Sequence, residues 1–219
     1  MSRQKRRKFA ENALRDNVIE PGKDTFGKLK GVWGKRYFKN ENPITLELAC
    51  GRGEYSVGLG RKFPERNFIG IDVKGDRIWK GSGISLDEGL DNVAFLREQI
   101  QFLQEHFENS EVGDIWIVFP DPRPKDREEK HRLTHPRYLD IYRELIIRDG
   151  WIRLKTDNTG LFEYSIEILQ ARNDIRDLVY TDDLYGSEFS GESHDIVTRY
   201  ERKFHTSENK IKYLRFRFV

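Results

Sequence analysis

The sequence predicts an α/β protein with a mostly parallel sheet, and two observations lead to this prediction. From Ile44 onward, apolar stretches of strand length alternate with segments of helical length. Strands spaced in this way are joined by right-handed crossovers, which place them parallel in one sheet with both faces covered. After Arg176 this alternation ends, and the remaining strand-like stretches predict an antiparallel pair that closes the sheet.

The individual elements follow from local patterns along the chain. The predicted strands cover residues 44–50, 67–73, 93–96, 115–119, 150–155, 178–180 and 212–219. The predicted helices cover residues 54–63, 74–90, 98–108, 136–147 and 159–171. Pro64 ends the first of these helices, and three glycines loosen the second. The last strand alternates basic with apolar or aromatic residues, which is typical of a strand with one solvated face.

Length and composition predict one domain preceded by a basic arm. Residues 1–43 form the arm, with a possible short helix over 9–18, and residues 44–219 form the α/β domain. No apolar run approaches the roughly 20 residues needed to span a bilayer, and no apolar stretch follows the basic N-terminus as in a secretory signal. The single cysteine, Cys50, cannot form an internal disulfide, which predicts a cytoplasmic protein in a reducing environment.

The charges are segregated along the chain, although the net charge is only +2. Residues 3–8 carry five basic side chains, residues 23–39 carry six, and the segment from Arg199 to Arg217 is basic again. Residues 87–114 contain eight acidic side chains and only one basic one. Residues 3–8 alone could be a solubilising tail. Three basic segments in one short chain favour a basic face that binds nucleic acid.

The loop after the first strand is typical of a nucleoside site. In L-E-L-A-C-G-R-G-E, Gly51 and Gly53 allow a sharp turn and close approach of a ligand. Glu54 occupies the place of the third glycine of a dinucleotide fingerprint, where its carboxylate would repel a pyrophosphate. Asp72 ends the next strand and can accept the hydroxyls of a ribose. Glu47 lies close enough to meet a cation.

A ribose, a positive centre and no phosphate together favour S-adenosylmethionine as the ligand of this loop. Two alternatives stay open on the loop alone. A nicotinamide cofactor is one, and a plain tight turn with Glu47 paired to a basic neighbour is the other.

Acidic residues also follow two neighbouring strands. The motif F-P-D-P-R-P-K places Asp121 and Lys125 behind the fourth strand, where the prolines oppose a helix. Asp157 follows the fifth strand, and Glu201 lies in T-R-Y-E near the C-terminus. Because ligands bind at the carboxyl ends of strands in open α/β sheets, these residues are expected around one pocket. The alternative for Asp157 and Asn158 is capping of the following helix.

The sequence argues against a metal site and against a cysteine nucleophile. Grouped carboxylates can bind metals, but lysine and arginine crowd this segment and would compete with a cation. Only His131 and His135 have helical i,i+4 spacing, and Pro136 follows the second. Cys50 at a strand end is better explained by packing.

Taken together, these motifs resemble the bacterial tRNA (guanine-N7-)-methyltransferases, the TrmB family. The motifs that carry the resemblance are L-E-L-A-C-G-R-G, F-I-G-I-D, F-P-D-P-R-P-K, L-K-T-D-N-x-x-L-F-E-Y-S and T-R-Y-E. The resemblance implies a Rossmann-like class I S-adenosylmethionine-dependent methyltransferase, with a mostly parallel seven-stranded sheet and an antiparallel C-terminal strand. It also implies methylation of N7 of a guanosine in the variable loop of tRNA, at tRNA position 46.

The resemblance also implies roles for individual residues. Those implied to bind S-adenosylmethionine are Glu47, Gly51, Gly53, Asp72, Gln99 and Asp121. Those implied to bind guanosine are Lys125, Asp157, Thr198, Arg199, Tyr200 and Glu201, with Asp121, Asp157 and Glu201 as catalytic residues. Three positions depart from the family pattern: Ala49 replaces a glycine, Arg123 a tryptophan, and Gln99 the acid near adenine.

The chemistry of the reaction suits these residue types. Guanine N7 carries no proton, so its attack on a methyl group needs alignment rather than a base. Carboxylates stabilise the cationic product and accept hydrogen bonds from the N1–H and N2–H₂ edge, which we expect from Asp157 and Glu201. Lys125, the N-terminal arm and the basic final strand are expected to hold the RNA backbone.

Three alternatives remain at this point: methylation of another RNA or a small molecule, a nicotinamide-dependent oxidoreductase, and a non-catalytic RNA-binding module. The sequence does not distinguish a monomer from a homodimer.

Overall fold

The computed structural model describes residues 2–204 and 210–219. Within these residues the helices are α1 (Arg3–Leu14), α2 (Glu54–Lys62), α3 (Gly75–Asp87), α4 (Pro136–Leu145), α5 (Thr159–Gln170) and α6 (Arg199–Phe204). The strands are β1 (Val18–Ile19), β2 (Ile44–Leu48), β3 (Asn67–Ile71), β4 (Val93–Leu96), β5 (Val112–Val118), β6 (Ile152–Thr156), β7 (Ile175–Thr181) and β8 (Lys212–Phe218).

The strands form one sheet in the order β1-β4-β3-β2-β5-β6-β8-β7. Strands β1 to β6 pair in parallel, and β8 lies antiparallel between β6 and β7. The predicted fold class is therefore confirmed. The chain runs outward from β2 through β3 to β4 on one side and from β5 to β6 on the other. Hence β2 and β5 flank the topological switch point, where open α/β sheets bind ligands.

Strand β1 is the additional strand of the sheet, and it lies in a segment for which the sequence predicted no strand. Val18 pairs with Phe95 and Ile19 with Leu96 of β4. Two residues are too few to produce a detectable periodicity, so the prediction of seven strands was one too low.

Two helical predictions also differ from the structure. The helix predicted over 9–18 begins at Arg3, because the Ser2 side chain caps it by accepting from the Lys5 N–H at 3.3 Å. The basic run 3–8 is therefore helical and not a free tail. The helix predicted over 98–108 was wrong, since only Ile100–Glu105 forms a 3₁₀ helix.

The N-terminal segment packs on the rest of the protein. Trp33 is fully buried, stacks on Phe107 at 5.4 Å, and donates from its indole nitrogen to the carbonyl of His106 at 2.8 Å. Helix α1 lies against α3, where the Asn12 amide donates to the carbonyl of Gly75 at 2.8 Å. The division of the chain at residue 43 stays a prediction.

The central strands are enclosed on both faces. Every residue of β2, β3 and β5 is buried. Burial on both faces means that a polar side chain within these strands must find partners inside the protein. No α-helix in residues 2–204 or 210–219 has both the length and the apolar character required to cross a membrane.

Candidate active site

Two adjoining clefts open at the carboxyl edge of the sheet, above β2 and β5. The larger has a volume of about 560 Å³ and the smaller about 230 Å³, and Ala49 lines both. The larger is lined by residues that include Glu47, Gly51, Glu54, Trp79, Phe119, Thr198, Arg199 and Tyr200. The smaller is lined by residues that include Asp72, Glu98, Gln99, Asp121, Arg123 and His131. The structure thus brings most of the predicted site residues to the switch point.

The loop after β2 turns by left-handed backbone conformations. Ala49, Gly51 and Gly53 have φ values of +56°, +56° and +67°. A Cβ on Gly53 would lie 2.3 Å from the ring of Phe95, so only glycine fits where the loop meets β4 and α3. Ala49, one of the departures from the family pattern, takes the strained left-handed conformation with a side chain.

We expect Ala49→Gly to stabilise the protein by about 1 kcal/mol, because glycine removes the left-handed strain at a smaller entropic cost. Urea denaturation of the two proteins measures this difference. Ala10→Gly in the exposed part of α1 is the matched control, since there the same change should destabilise by about 1 kcal/mol. Equal losses in both variants would contradict strain at Ala49.

Asp72 ties two loops together at the end of β3. Its carboxylate accepts from the Gly51 N–H at 2.9 Å and from the Lys74 N–H at 2.8 Å. It is buried at the wall of the smaller cleft, which it shares with the exposed Gln99. The preceding Glu98 lines the same cleft and accepts from the Gln99 N–H at 2.6 Å. Glu98 therefore places an acidic side chain next to Gln99, the position at which the family pattern has an acid.

Glu47 is a buried carboxylate at the centre of the sheet. Ser56 donates to it from its N–H at 2.7 Å and from its hydroxyl. Burial raises the pKa of Glu47 to about 8, and the neighbouring carboxylates of Asp72 and Glu54 add to this shift. A cationic ligand group in the cleft would stabilise the ionised form. The same surroundings raise the pKa of Cys50, so this buried thiol stays protonated, in agreement with a packing role.

We expect Glu47→Gln to become progressively more stable than the wild-type protein as the pH rises. The folded protein keeps Glu47 protonated up to about pH 8, whereas the unfolded chain releases this proton near the ordinary glutamate pKa of 4.5. Between these values unfolding releases a proton, so wild-type stability falls as pH increases, and the glutamine variant lacks this loss. Denaturant unfolding at a series of pH values measures the difference. A stability difference independent of pH would contradict the raised pKa.

The F-P-D-P-R-P-K segment leaves β5 through two strained residues. Phe119 and Arg123 have φ values of +47° and +48°. Asp121 is exposed, pairs with Arg123 at 3.3 Å, and reaches the wall of the smaller cleft. Arg123 also pairs with Glu128 at 3.5 Å. The arginine that replaces the tryptophan of the family pattern therefore forms ion pairs within this loop. Lys125 is exposed and lies outside both clefts, immediately before a 3₁₀ helix.

The T-R-Y-E segment forms a capping box at the start of α6. The Thr198 hydroxyl accepts from the Glu201 N–H at 3.1 Å, and the Glu201 carboxylate accepts from the Thr198 N–H at 3.3 Å. Glu54 accepts from the Arg199 N–H at 2.8 Å, so the residue in place of the third fingerprint glycine anchors α6. The pattern T-x-x-E is itself a capping signal, and the sequence prediction did not include it.

Glu201 does not line the clefts with its neighbours. It is 1% exposed, and its carboxylate pairs with the ammonium of Lys155 at 2.9 Å and accepts from the Tyr185 hydroxyl. Lys155 was not among the predicted site residues, because β6 reads I-R-L-K-T and this lysine looks like a second solvated charge beside Arg153. Glu201 instead borders a third cleft of about 340 Å³, together with Tyr185, Val197 and Arg202. The predicted contact between Glu201 and guanine stays a prediction.

Asp157 lies beside the larger cleft at the end of β6. It accepts from the Tyr200 hydroxyl at 3.0 Å, whereas Asn158 caps α5 by accepting from the Leu161 N–H at 2.8 Å. The capping alternative is therefore correct for Asn158 and not for Asp157. Tyr200 packs between Phe119 and Phe204, with ring centroids 5.3 and 4.7 Å away. These three aromatic side chains form a ledge along the cleft.

Basic side chains surround the larger cleft. They come from α1, the loop after β2, α3 and α6, and are Lys8, Arg52, Arg77, Lys80, Arg199 and Lys203. The final strand contributes none of them. Arg215 pairs with Glu192 at 2.5 Å and Arg217 with Asp177 at 2.6 Å. Because Arg215 is opposite Arg153, near the start of β6, and Arg217 lies farther along, both residues lie in the half of the sheet away from the carboxyl edge. Neither arginine lines the two clefts, and the expected role of the final strand in holding RNA stays a prediction.

The described residues show no arrangement suited to a metal ion. Among residues 2–204 and 210–219, no group of three or more His, Cys, Asp or Glu side chains could hold one. His135 caps α4 by accepting from the Arg137 N–H at 3.2 Å.

Comparison with known proteins assigns the class. Residues 41–214 match the family model described as "Putative methyltransferase". Among solved structures, an antibiotic-related methyltransferase aligns with a TM-score of 0.62 at 15% identity, covering 84% of this chain and 92% of that one. The 16S rRNA methyltransferase KamB aligns with a TM-score of 0.61 at 13% identity, covering 84% and 91%. The solved structures share the fold, and the family model over residues 41–214 places the chain among the methyltransferases.

Curated relatives narrow the assignment. The tRNA (guanine-N(7)-)-methyltransferase of Cytophaga hutchinsonii is 45% identical over 100% of this chain and 99% of its own length. That of Christiangramia forsetii is 43% identical over 99% and 98%. That of Porphyromonas gingivalis is 47% identical over 86% and 76%. The chain belongs to the tRNA (guanine-N7-)-methyltransferase family.

Proposed function

We propose that this enzyme transfers the methyl group of S-adenosylmethionine to N7 of a guanosine in tRNA, at position 46 of the variable loop, in the cytoplasm. The observation that carries the proposal is the acid-lined double cleft at the switch point of a chain from this family. A nicotinamide cofactor fits poorly, because Glu54 occupies the start of α2, where a pyrophosphate would sit.

The residues present fit S-adenosylmethionine. Asp72 would accept the ribose hydroxyls, and Glu98 and Gln99 would face the adenine end of the smaller cleft. The charged groups that shift the pKa of Glu47 are the carboxylates of Asp72 and Glu54. This acidic environment favours a ligand with a cationic centre. Asp121 would lie between this ligand and the base, since it reaches the cleft from the end of β5. When bound, S-adenosylmethionine supplies an electrophilic methyl group.

The chain's own residues would orient the guanine. Asp157 offers a carboxylate to the N1–H and N2–H₂ edge, while its bond to Tyr200 holds that ring in place. The aromatic ledge of Phe119, Tyr200 and Phe204 provides faces on which a base can stack, worth roughly 1–3 kcal/mol per stacked base. Because N7 needs only alignment, fixing the ring plane is the main catalytic task of these side chains.

The basic rim of the larger cleft would bind the RNA backbone. Lysine and arginine side chains from α1, α3 and α6 surround the opening through which a nucleoside must enter. Lys125 is exposed on the neighbouring loop and would add a phosphate contact. A guanosine stacked within folded tRNA cannot present N7 to the bottom of a cleft, so the nucleoside must be extruded.

The test is incubation of the enzyme with labelled S-adenosylmethionine and unmodified tRNA, followed by nucleoside analysis. The expected product is 7-methylguanosine, formed once per tRNA. A transcript with adenosine in place of the variable-loop guanosine is the matched control and should not be labelled. Label in another nucleoside, or equal label in the control transcript, would overturn the proposal.

A further inference from the structure

Helix α6 carries the residues that line one wall of the larger cleft, yet it cannot be stable by itself. It spans six residues, Arg199–Phe204, and isolated helices this short do not persist in water. Its outer side presents Arg199, Tyr200 and Lys203 to the cleft. The placement of these side chains therefore depends on what attaches α6 to the sheet.

The attachment is a buried ion pair. Lys155 on β6 is 0% exposed and Glu201 on α6 is 1% exposed, and their charged groups are 2.9 Å apart. The Lys155 ammonium also donates to the Tyr185 hydroxyl at 2.9 Å, and that hydroxyl donates to Glu201. Burial lowers the pKa of Lys155, and the Glu201 carboxylate opposes this shift. These contacts occupy both carboxylate oxygens of Glu201.

The same two elements are joined a second time at the surface. Asp157 follows Lys155 by two residues and Tyr200 precedes Glu201, and these two side chains form the 3.0 Å hydrogen bond beside the cleft. In addition, the Phe119 N–H donates to the carbonyl of Lys155 at 2.8 Å. The end of β6 thus holds two members of the aromatic ledge: Tyr200 through Asp157, and Phe119 through the carbonyl of Lys155.

We propose that Lys155 is a positioning residue, which acts through Glu201 to seat α6 and thereby places Thr198 and Tyr200 at the cleft. This inference rests on the proposed function. It assigns Glu201 to the support of α6 and leaves Asp157 as the carboxylate that faces the base. The distinction can be tested, because a group that touches guanine and a group that seats a helix respond differently to a change in the base.

The experiment compares Lys155→Met, Glu201→Gln, their double variant and Asp157→Asn. Each is assayed for Kd of S-adenosylmethionine and for kcat/KM with two tRNAs, one with guanosine and one with inosine at the target position. Inosine lacks the N2 amino group but keeps N7. Asp174→Asn is the matched control, since it removes a charge from the Arg172 pair at the opposite edge of the sheet.

We expect Lys155→Met and Glu201→Gln each to lower kcat/KM for tRNA about 100-fold, the cost of roughly 1 Å of misplacement. The double variant should lose no more kcat/KM than the less active of the two single variants, because both changes break the same ion pair. Affinity for S-adenosylmethionine should stay within about three-fold, since its predicted contacts come from other loops. The loss should be the same for guanosine and inosine, whereas the loss in Asp157→Asn should shrink with inosine.

Several results would overturn the proposal. If Lys155→Met keeps normal kcat/KM while Glu201→Gln loses it, or if the Glu201→Gln loss shrinks with inosine, then Glu201 acts on the base. If the single effects multiply, or if cofactor affinity falls in parallel with kcat/KM, the pair has no specific positioning role.

Removal of one partner leaves an uncompensated buried charge, so a single variant can fail to fold. The neutral double variant then supplies the measurement, with the same expected loss. Absence of 7-methylguanosine with the wild-type enzyme would instead refute the proposed function.

Discussion

Asp157→Asn is expected to lower kcat/KM for tRNA by about 100- to 1,000-fold, the range for loss of a preorganised group that stabilises developing charge. Asparagine preserves the shape and can still accept from Tyr200, but it loses the negative charge beside the cationic product. Its amide can also present donors to a guanine edge that consists of donors. Steady-state kinetics with unmodified tRNA measures the effect.

Two controls separate this effect from a general loss of function. Affinity for S-adenosylmethionine should be unchanged in Asp157→Asn, because the side-chain partner of Asp157 is Tyr200, which is predicted to contact guanosine and not the cofactor. Asp140→Asn, which alters an exposed carboxylate on α4 paired with Arg172, should retain wild-type kinetics. Near-normal turnover of Asp157→Asn would refute the assignment of this residue to guanine.

Asp72→Ala is expected to raise the Kd of S-adenosylmethionine about 100-fold, because each hydrogen bond to a charged acceptor contributes about 1.5–3 kcal/mol. The change removes the carboxylate expected to accept the ribose hydroxyls. It also releases the Gly51 and Lys74 N–H groups that Asp72 holds at the two loops. Calorimetric titration with the cofactor measures the change in Kd.

The Asp72→Asn variant distinguishes direct contact from loop support. Its carbonyl oxygen can still accept one of the two loop N–H groups, so it should bind more tightly than Asp72→Ala and more weakly than the wild type. Asp87→Ala, at the exposed end of α3, is the matched control and should bind normally. Wild-type affinity in Asp72→Ala would exclude Asp72 from the cofactor site.

Much of the candidate site could be predicted because parallel strands end at a common edge. Residues that directly follow β2, β3, β5 and β6 must meet there whatever the loops do. Glu47 near the end of β2, Asp72 after β3 and Asp121 after β5 therefore line the two adjoining clefts, and Asp157 after β6 lies beside them. The sequence did not predict that Glu201 is buried against Lys155, because the residues around T-R-Y-E do not show which of its side chains faces inward.

By itself, the sequence determined the order of the strands from Ile44 onward, the helices α2 to α5, the parallel sheet with its antiparallel closing strands, and the loops that surround the site. These features depend on local periodicity and on turn residues, which are written in consecutive positions. Only the tertiary structure decided that α1 packs on α3, that β1 joins the sheet, and that Lys155 pairs with Glu201.

The physical reason is the same in the three cases. Each contact joins segments that are distant in the chain, and the burial that makes it strong exists only after the sheet has formed. A lysine and a glutamate 46 positions apart look like two surface charges until folding removes both from water.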